Sequence, residues 1–120
     1  MRMDSFTTKA REAIEAAVQD ATARGNPQVE PEHLLVAVLG QKDGVVASVL
    51  KLMEKAPEAL SGRLEAVIDG FPRATGAQVG AGRGLQELLA AAGTEAAGFK
   101  DDFISTEHLF LAALSTREGE

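Results

Sequence analysis

The chain uses one stretch twice, and that duplication limits its possible folds more than any other feature. Val29-Glu30-Pro31-Glu32-His33-Leu34-Leu35-Val36-Ala37-Val38-Leu39-Gly40 returns 75 residues later as Ile104-Ser105-Thr106-Glu107-His108-Leu109-Phe110-Leu111-Ala112-Ala113-Leu114-Ser115. Five of the twelve pairs are identical: Glu32/Glu107, His33/His108, Leu34/Leu109, Ala37/Ala112 and Leu39/Leu114. An ungapped match of this kind means two copies of one supersecondary unit. The same offset extends upstream, where Leu85, Leu88, Leu89, Ala92 and Ala96 stand 75 residues beyond Ala10, Ala13, Ile14, Ala17 and Ala21.

Each copy reads as helical. Thr7 is a good N-cap, with Phe6 placed to pack back on the first turn. Ala10, Ala13, Ile14, Ala17, Val18 and Ala21 then form a stripe of 3.6-residue period. Gly25-Asn26-Pro27 supplies the stop, and Pro31 suits the first turn of a second helix because its missing N–H is an orphan there. That helix, to about Leu39, is apolar on nearly every side and is expected to be buried. A third segment opens at Gly44 with Val45, Val46, Val49, Leu50, Leu52 and Met53. A fourth opens at Pro57 with Leu60, Leu64, Val67 and Ile68, and ends at Gly70-Phe71-Pro72.

Gly70, Gly76, Gly80, Gly82 and Gly84 make residues 70–84 read as a flexible connection between the copies. Repeat one is therefore placed at about 1–72 and an incomplete repeat two at 85–120, in one domain spanning 1–120. In the second copy Lys100-Asp101-Asp102-Phe103 forms the turn before Ile104, and Ser105 caps the helix that follows. The third and fourth helices have no counterparts after Leu114, so the chain is expected to be part of a longer protein. Leu109, Phe110 and Leu114 are expected to be partly uncovered, or covered by a neighbouring chain. The fold class is all-α, a pseudo-twofold bundle of two four-helix units with the second truncated.

Composition narrows the function. The chain has no Cys, which removes disulfides, thiolate catalysis and cysteine zinc sites. A net charge of −6 and scattered Lys and Arg argue against a nucleic-acid backbone as partner. No apolar run approaches bilayer-spanning length, and no signal-peptide core precedes the first helix. No membrane partner and a cytoplasmic location are expected.

Catalytic and metal-binding patterns are weak. Glu-His-Leu-Leu is not the His-Glu-x-x-His arrangement that places two imidazoles on one helical face. A zinc site needs three or four converging ligands, and each copy brings one His. His33 and His108 are read instead as structural residues at the third position of a buried helix, each hydrogen-bonded to a turn of its own copy. Gly80, Gly82 and Gly84 lack the preceding strand and the Gly-Lys-Ser/Thr of a phosphate loop. Asp101-Asp102 reads as a solvated or helix-capping pair rather than a cation site, and no serine sits in a G-x-S-x-G frame. No cofactor and no enzymatic activity are expected of these residues.

The opening Met1-Arg2-Met3-Asp4-Ser5-Phe6-Thr7-Thr8-Lys9-Ala10, the Glu-Pro-Glu-His-Leu-Leu segment and Phe103-Ile104-Ser105-Thr106-Glu107-His108-Leu109 together resemble the double Clp repeat. This is the N-terminal domain of the Clp/heat-shock AAA+ unfoldases, and the match is most similar to the ClpB-type disaggregase branch. The resemblance covers essentially the whole chain. It implies about eight helices in a complete domain, mounted on ATPase rings that assemble as a homohexamer and use ATP and magnesium. It implies a stress-response role with unfolded or aggregated polypeptide as partner, in cooperation with the DnaK chaperone system. Residue by residue, it implies a polar functional set at Thr7, Asp101 and Glu107. It also implies a shallow apolar substrate groove beside the fifth helix, carrying Leu85, Leu88, Leu89, Ala91 and Ala92. Glu95 and His108 stand where some members have apolar residues. The alternative within the resemblance is a ClpC- or ClpA-like N-domain that receives adaptor proteins and feeds a protease.

Overall fold

The computed structural model describes residues 5–41, 44–74, 79–99 and 101–116, with only the backbone described at 115 and 116. The Met1–Asp4 start, Lys100 and part of the glycine-rich connection lie outside the described residues. The helices are α1 (Thr8–Arg24), α2 (Pro31–Leu39), α3 (Val45–Leu52), α4 (Pro57–Asp69), α5 (Arg83–Gly98) and α6 (Thr106–Thr116). The expected stops and starts are used as chemistry dictates. Thr7 Oγ1 accepts from the Ala10 N–H, and Gly25 takes the left-handed conformation, φ 77°, that ends α1. Pro31 opens α2 and Pro57 opens α4.

Two short strand pairings, absent from the all-helical reading, tie the copies together. Gln28–Val29 (β1) pairs in parallel with Gly80–Ala81 (β2), and Phe6 bridges in parallel to Ile104. The offset of 75 maps Phe6 onto Ala81 and Val29 onto Ile104, so the two pairings are one pairing made twice with the copies exchanged. The same holds bond by bond: the Thr7 N–H donates to the Ile104 carbonyl at 2.9 Å, and the Gly82 N–H donates to the Val29 carbonyl at 2.9 Å. Such reciprocity is what a pseudo-twofold relation requires.

The connection 70–84 is not loose where it is described. The Asn26 side-chain amide donates to the Pro72 carbonyl, and the Ala74 N–H donates to the Gly25 carbonyl. At its other end Gly80 and Ala81 belong to the strand pairing. Gly82, which replaces the Thr7 cap of the first copy, leaves room for the Glu30 carboxylate. A side chain at Gly82 would collide with that carboxylate. The negative group thus sits at the positive end of α5, where its charge is favourable.

The core is continuous across the copies. It joins Phe6 and the alanine stripe Ala10, Ala13, Ala17 and Ala21 to Leu34, Val38, Leu85, Leu88, Ala92, Leu109 and Ala112. α1 packs on α2 and α5 on α6, the equivalent contacts of the two copies, while α4 packs on α2. Val18 departs from the expected stripe and is exposed, because one residue on from Ala17 turns it 100° away from that line of alanines. Of the expected uncovered residues, Leu109 is fully buried, Phe110 partly buried, and Leu114 exposed.

Phe6 is both a strand partner and a core residue, so Phe6→Ala is expected to destabilise the protein by about 3–5 kcal/mol. Urea denaturation followed by circular dichroism checks this. A single transition shifted as a unit is the expected outcome, since core contacts run through both copies.

Candidate functional site

The two duplicated histidines are built into equivalent clamps. In the first copy the Glu30 N–H donates to His33 Nδ1 at 2.8 Å, and His33 Nε2–H donates to Asn26 Oδ1 at 2.9 Å. The accepting Nδ1 fixes the proton of the neutral ring on Nε2. In the second copy the Ser105 N–H donates to His108 Nδ1 at 2.8 Å, and Nε2–H donates to Asp101 Oδ2 at 2.9 Å. Asn26 and Asp101 are themselves 75 residues apart. Each clamp therefore fastens the start of its helix to the turn that precedes it, as expected for structural histidines. Among the described residues no three His, Asp or Glu converge to hold a metal ion.

The clamps differ electrostatically. His33 has no exposed surface, and burial pushes its pKa down, with the Arg24 cation adding to the shift and Asp20 and Glu32 opposing it. Arg24 itself is held in place by Asp20 at 2.9 Å and Asp69 at 3.0 Å, and Asp20 raises its already high pKa. Buried Asn26 connects three parts of the first copy: His33, the α1–α2 turn and the carbonyl of Pro72 beyond α4.

The expected polar set separates into two places. Thr7 and Glu107 line one cleft of about 420 Å³ with Thr8, Lys9, Ser105 and Thr106, where α1 and α6 begin. Asp101 is not among the residues lining this cleft; it lies on the α5–α6 connection as the partner of His108. Thr7 is engaged as a helix cap and by its backbone bond to Ile104.

The expected apolar surface on α5 requires correction. Leu85, Leu88 and Ala92 are core residues, with 0% of Leu88 exposed, and Leu89 and Ala91 are partly buried against that core. The reason is the pseudo-symmetry itself: these residues occupy the positions of the buried alanine stripe of α1. The exposed apolar surface lies elsewhere, in an open trough of about 760 Å³ between α3, α4 and α6. Val49 and Met53 from α3 and its C-cap face Leu111 and Leu114 from α6 across it, all four 40–60% exposed. Lys55 and Arg63 flank one side, and Glu107 stands at the α6 side. The signal for this trough was present in the sequence. α3 carries apolar residues over a wide arc, with Ser48 and Lys51 together on the remaining side, and an eight-residue helix packed along part of that arc leaves the rest exposed; within α3 only Val46 is buried.

The depressed pKa of His33 sets a pH dependence. The unfolded state, with an ordinary imidazole, takes the proton first as pH falls. The His33 contribution to stability is therefore complete above about pH 6.5 and is lost as pH falls from there toward the folded value. Urea midpoints measured from neutral pH to mildly acid pH are expected to fall more steeply in the parent than in His33→Gln. Asn26→Ala, which strands the Nε2–H of His33 and the Pro72 carbonyl, is expected to cost about 2 kcal/mol or more at neutral pH.

With this geometry in place, comparison with known proteins is informative. Residues 5–120 match the family described as the Clp repeat (R) N-terminal domain. The chain is 42% identical over 112 residues to the chaperone protein ClpB of Corynebacterium efficiens, covering 89% of this chain and 13% of that protein. It is 37% identical over 117 residues to ClpB of Bdellovibrio bacteriovorus, covering 96% and 14%. The chain thus spans about one-seventh of the length of these relatives. Among solved structures, the N-terminal domain of ClpV1 ATPase from enteroaggregative E. coli superposes with TM-score 0.85 at 23% identity, covering 92% of this chain and 68% of that one. The Hsp104 N-terminal domain of Candida albicans does so with TM-score 0.84 at 19% identity, covering 94% and 75%. A ClpV N-domain in complex with a VipB peptide gives TM-score 0.81 at 22% identity, covering 93% and 69%. The duplicated unit, its match over nearly the whole chain and the curated relatives agree: the chain belongs to the Clp repeat N-terminal domain family.

Proposed function

We propose that this domain engages unfolded or aggregated polypeptide for a ClpB-type disaggregase. The observation that carries the reading is the α3–α4–α6 trough, whose apolar side chains are exposed on a surface otherwise rich in charge. Contiguous exposed apolar surface of this kind is uncommon on a protein that has no partner. A trough lined by Val, Leu and Met accepts many sequences, because adaptable apolar side chains repack around what they meet. The rim charges Lys55, Arg63 and Glu107 add orientation rather than bulk affinity. Leu89 is partly buried and its proposed contribution is secondary, while Leu85, Leu88 and Ala92 act through the core.

The polar residues Thr7, Asp101 and Glu107 remain proposed contact sites. Thr7 and Glu107 act from the cleft next to the trough, and Glu107 lines both. In the full-length protein the ATPase domains bind ATP and magnesium and form a homohexamer that works with the DnaK chaperone system in the cytoplasm. Six weakly binding domains on one hexamer reach useful avidity through effective concentration.

Two substitutions separate this surface from the core. Leu114→Asp places a charge on an already exposed position, so the helical circular dichroism spectrum is expected to persist while binding to a chemically denatured model protein weakens several-fold. Leu88→Asp buries an unpaired carboxylate and is expected to unfold the domain or destabilise it by about 3 kcal/mol or more. A folded Leu114→Asp variant that binds denatured protein as well as the parent rules out the trough.

A further inference from the structure

The hairpin of α3 and α4 sorts its charges between two sides. Glu58 and Glu65 line a separate cleft of about 660 Å³, to which α6 contributes nothing. Glu65 and Asp69 also face Arg24, at 3.9 and 3.0 Å. None of the hairpin's carboxylates, Glu54, Glu58, Glu65 and Asp69, lines the trough, whereas the exposed Lys55 and Arg63 both do. Among the described residues neither of these cations makes an ion pair, although Arg24 and Arg83 do. On a chain of net charge −6, two cations beside exposed apolar surface are left for the carboxylates of a partner.

The backbone fixes Lys55 at the trough. Glu54 has φ 60°, alone among the described non-glycine residues in taking the left-handed conformation. That turn lets the Glu54 N–H donate to the Lys51 carbonyl at 3.0 Å and the Lys55 N–H to the Leu50 carbonyl at 2.8 Å. Lys55 is thereby anchored to the last turn of α3, where Leu50 and Met53 form the trough wall. At the other end of α3, Gly44 and Val45 share a cleft with Glu107. A helix of eight residues spans about 12 Å, so Lys55 and Glu107 mark opposite ends of the trough. About four residues of extended chain cover that length. Arg63 belongs with Lys55: it stands on α4, whose Leu60 meets the Leu114 end of α6 in an adjoining cavity.

We propose that the trough prefers apolar segments carrying a carboxylate on one flank. About four apolar residues lie along Val49, Met53, Leu111 and Leu114, and an Asp or Glu beyond them meets Lys55 and Arg63. Glu107 repels a second carboxylate at the opposite end, so a segment acidic on one side is favoured over one acidic on both. The overall field of an acidic chain draws basic partners, and the two local cations reverse that preference at this surface. The inference rests on the trough being the capture surface, as proposed above, and adds the class of sequence that it takes.

Fluorescence anisotropy of labelled peptides against the 120-residue chain tests it, with circular dichroism verifying the fold of each variant. The peptides share a four-residue Leu/Val core and carry Asp-Asp on one flank, in either chain direction, Asp-Asp on both flanks, or only serines. The tighter one-sided acidic peptide is expected to bind about two- to five-fold better than the serine peptide at low salt, an advantage lost toward about 0.5 M salt. Lys55→Glu and Arg63→Glu are each expected to abolish that advantage and to leave the serine peptide unaffected. Arg83→Glu, an equal change in net charge outside the trough, is expected to preserve it. The proposal is overturned by an acidic peptide that binds no better than the serine peptide. An equal loss in Arg83→Glu, or tighter binding of the doubly acidic peptide, overturns it as well. In those cases a serine peptide whose binding still weakens in Leu114→Asp leaves the trough as the capture surface. A serine peptide indifferent to Leu114→Asp removes the trough and this inference together.

Discussion

The reciprocal strand pairing is the constraint on which the rest of the structure depends. Phe6 lies beside Ile104 and Val29 lies beside Ala81, so each copy lends the residue before its first helix to the residue before the other copy's second helix. Neither copy satisfies these backbone groups alone, and an unpaired buried N–H or carbonyl costs about 1–3 kcal/mol. The pairing also sets the relative position of α1 and α5, which then share one core. The four helices of the first copy and the two of the second, joined this way, share a single core.

Much of this was legible in the sequence because helical signals are local. Thr7, Gly25, Pro31 and Pro57 act within a turn or two of their own positions, and the helix limits follow them closely. The histidine roles were legible because duplication marks a structural residue. The strand pairings were not, since two-residue ladders have no periodicity of their own and join residues far apart in the chain. The burial of the apolar residues on α5 was not legible for a related reason. Leu85, Leu88 and Ala92 read equally well as surface or core until the partner helices are positioned, and the equivalence to Ala10, Ala13 and Ala17 was the clue that they are core.

The two copies differ in chemistry while sharing a backbone arrangement. Asn26 is matched by Asp101, Arg24 by Phe99, and the Thr7 cap by Gly82 with Glu30 reaching across to α5. These changes lie at the ends of helices and not in the shared core. The exposed trough also joins the copies, with α3 and α4 from one and α6 from the other. The surface features with functional promise therefore arise where the pseudo-symmetry is broken.

The alanine stripe of α1 has a further consequence for self-recognition. Ala10 and Ala13 are matched in α5 by Leu85 and Leu88, so the two sides of the pseudo-twofold differ in volume by several methylene groups per position. Two first copies from different molecules, brought together by the same reciprocal pairing, would leave voids where the leucines belong. Two second copies would be overfilled. Each error costs kilocalories per site in a close-packed interior. A duplicated chain runs the hazard of pairing like with like, and the size mismatch makes each half accept only its complement.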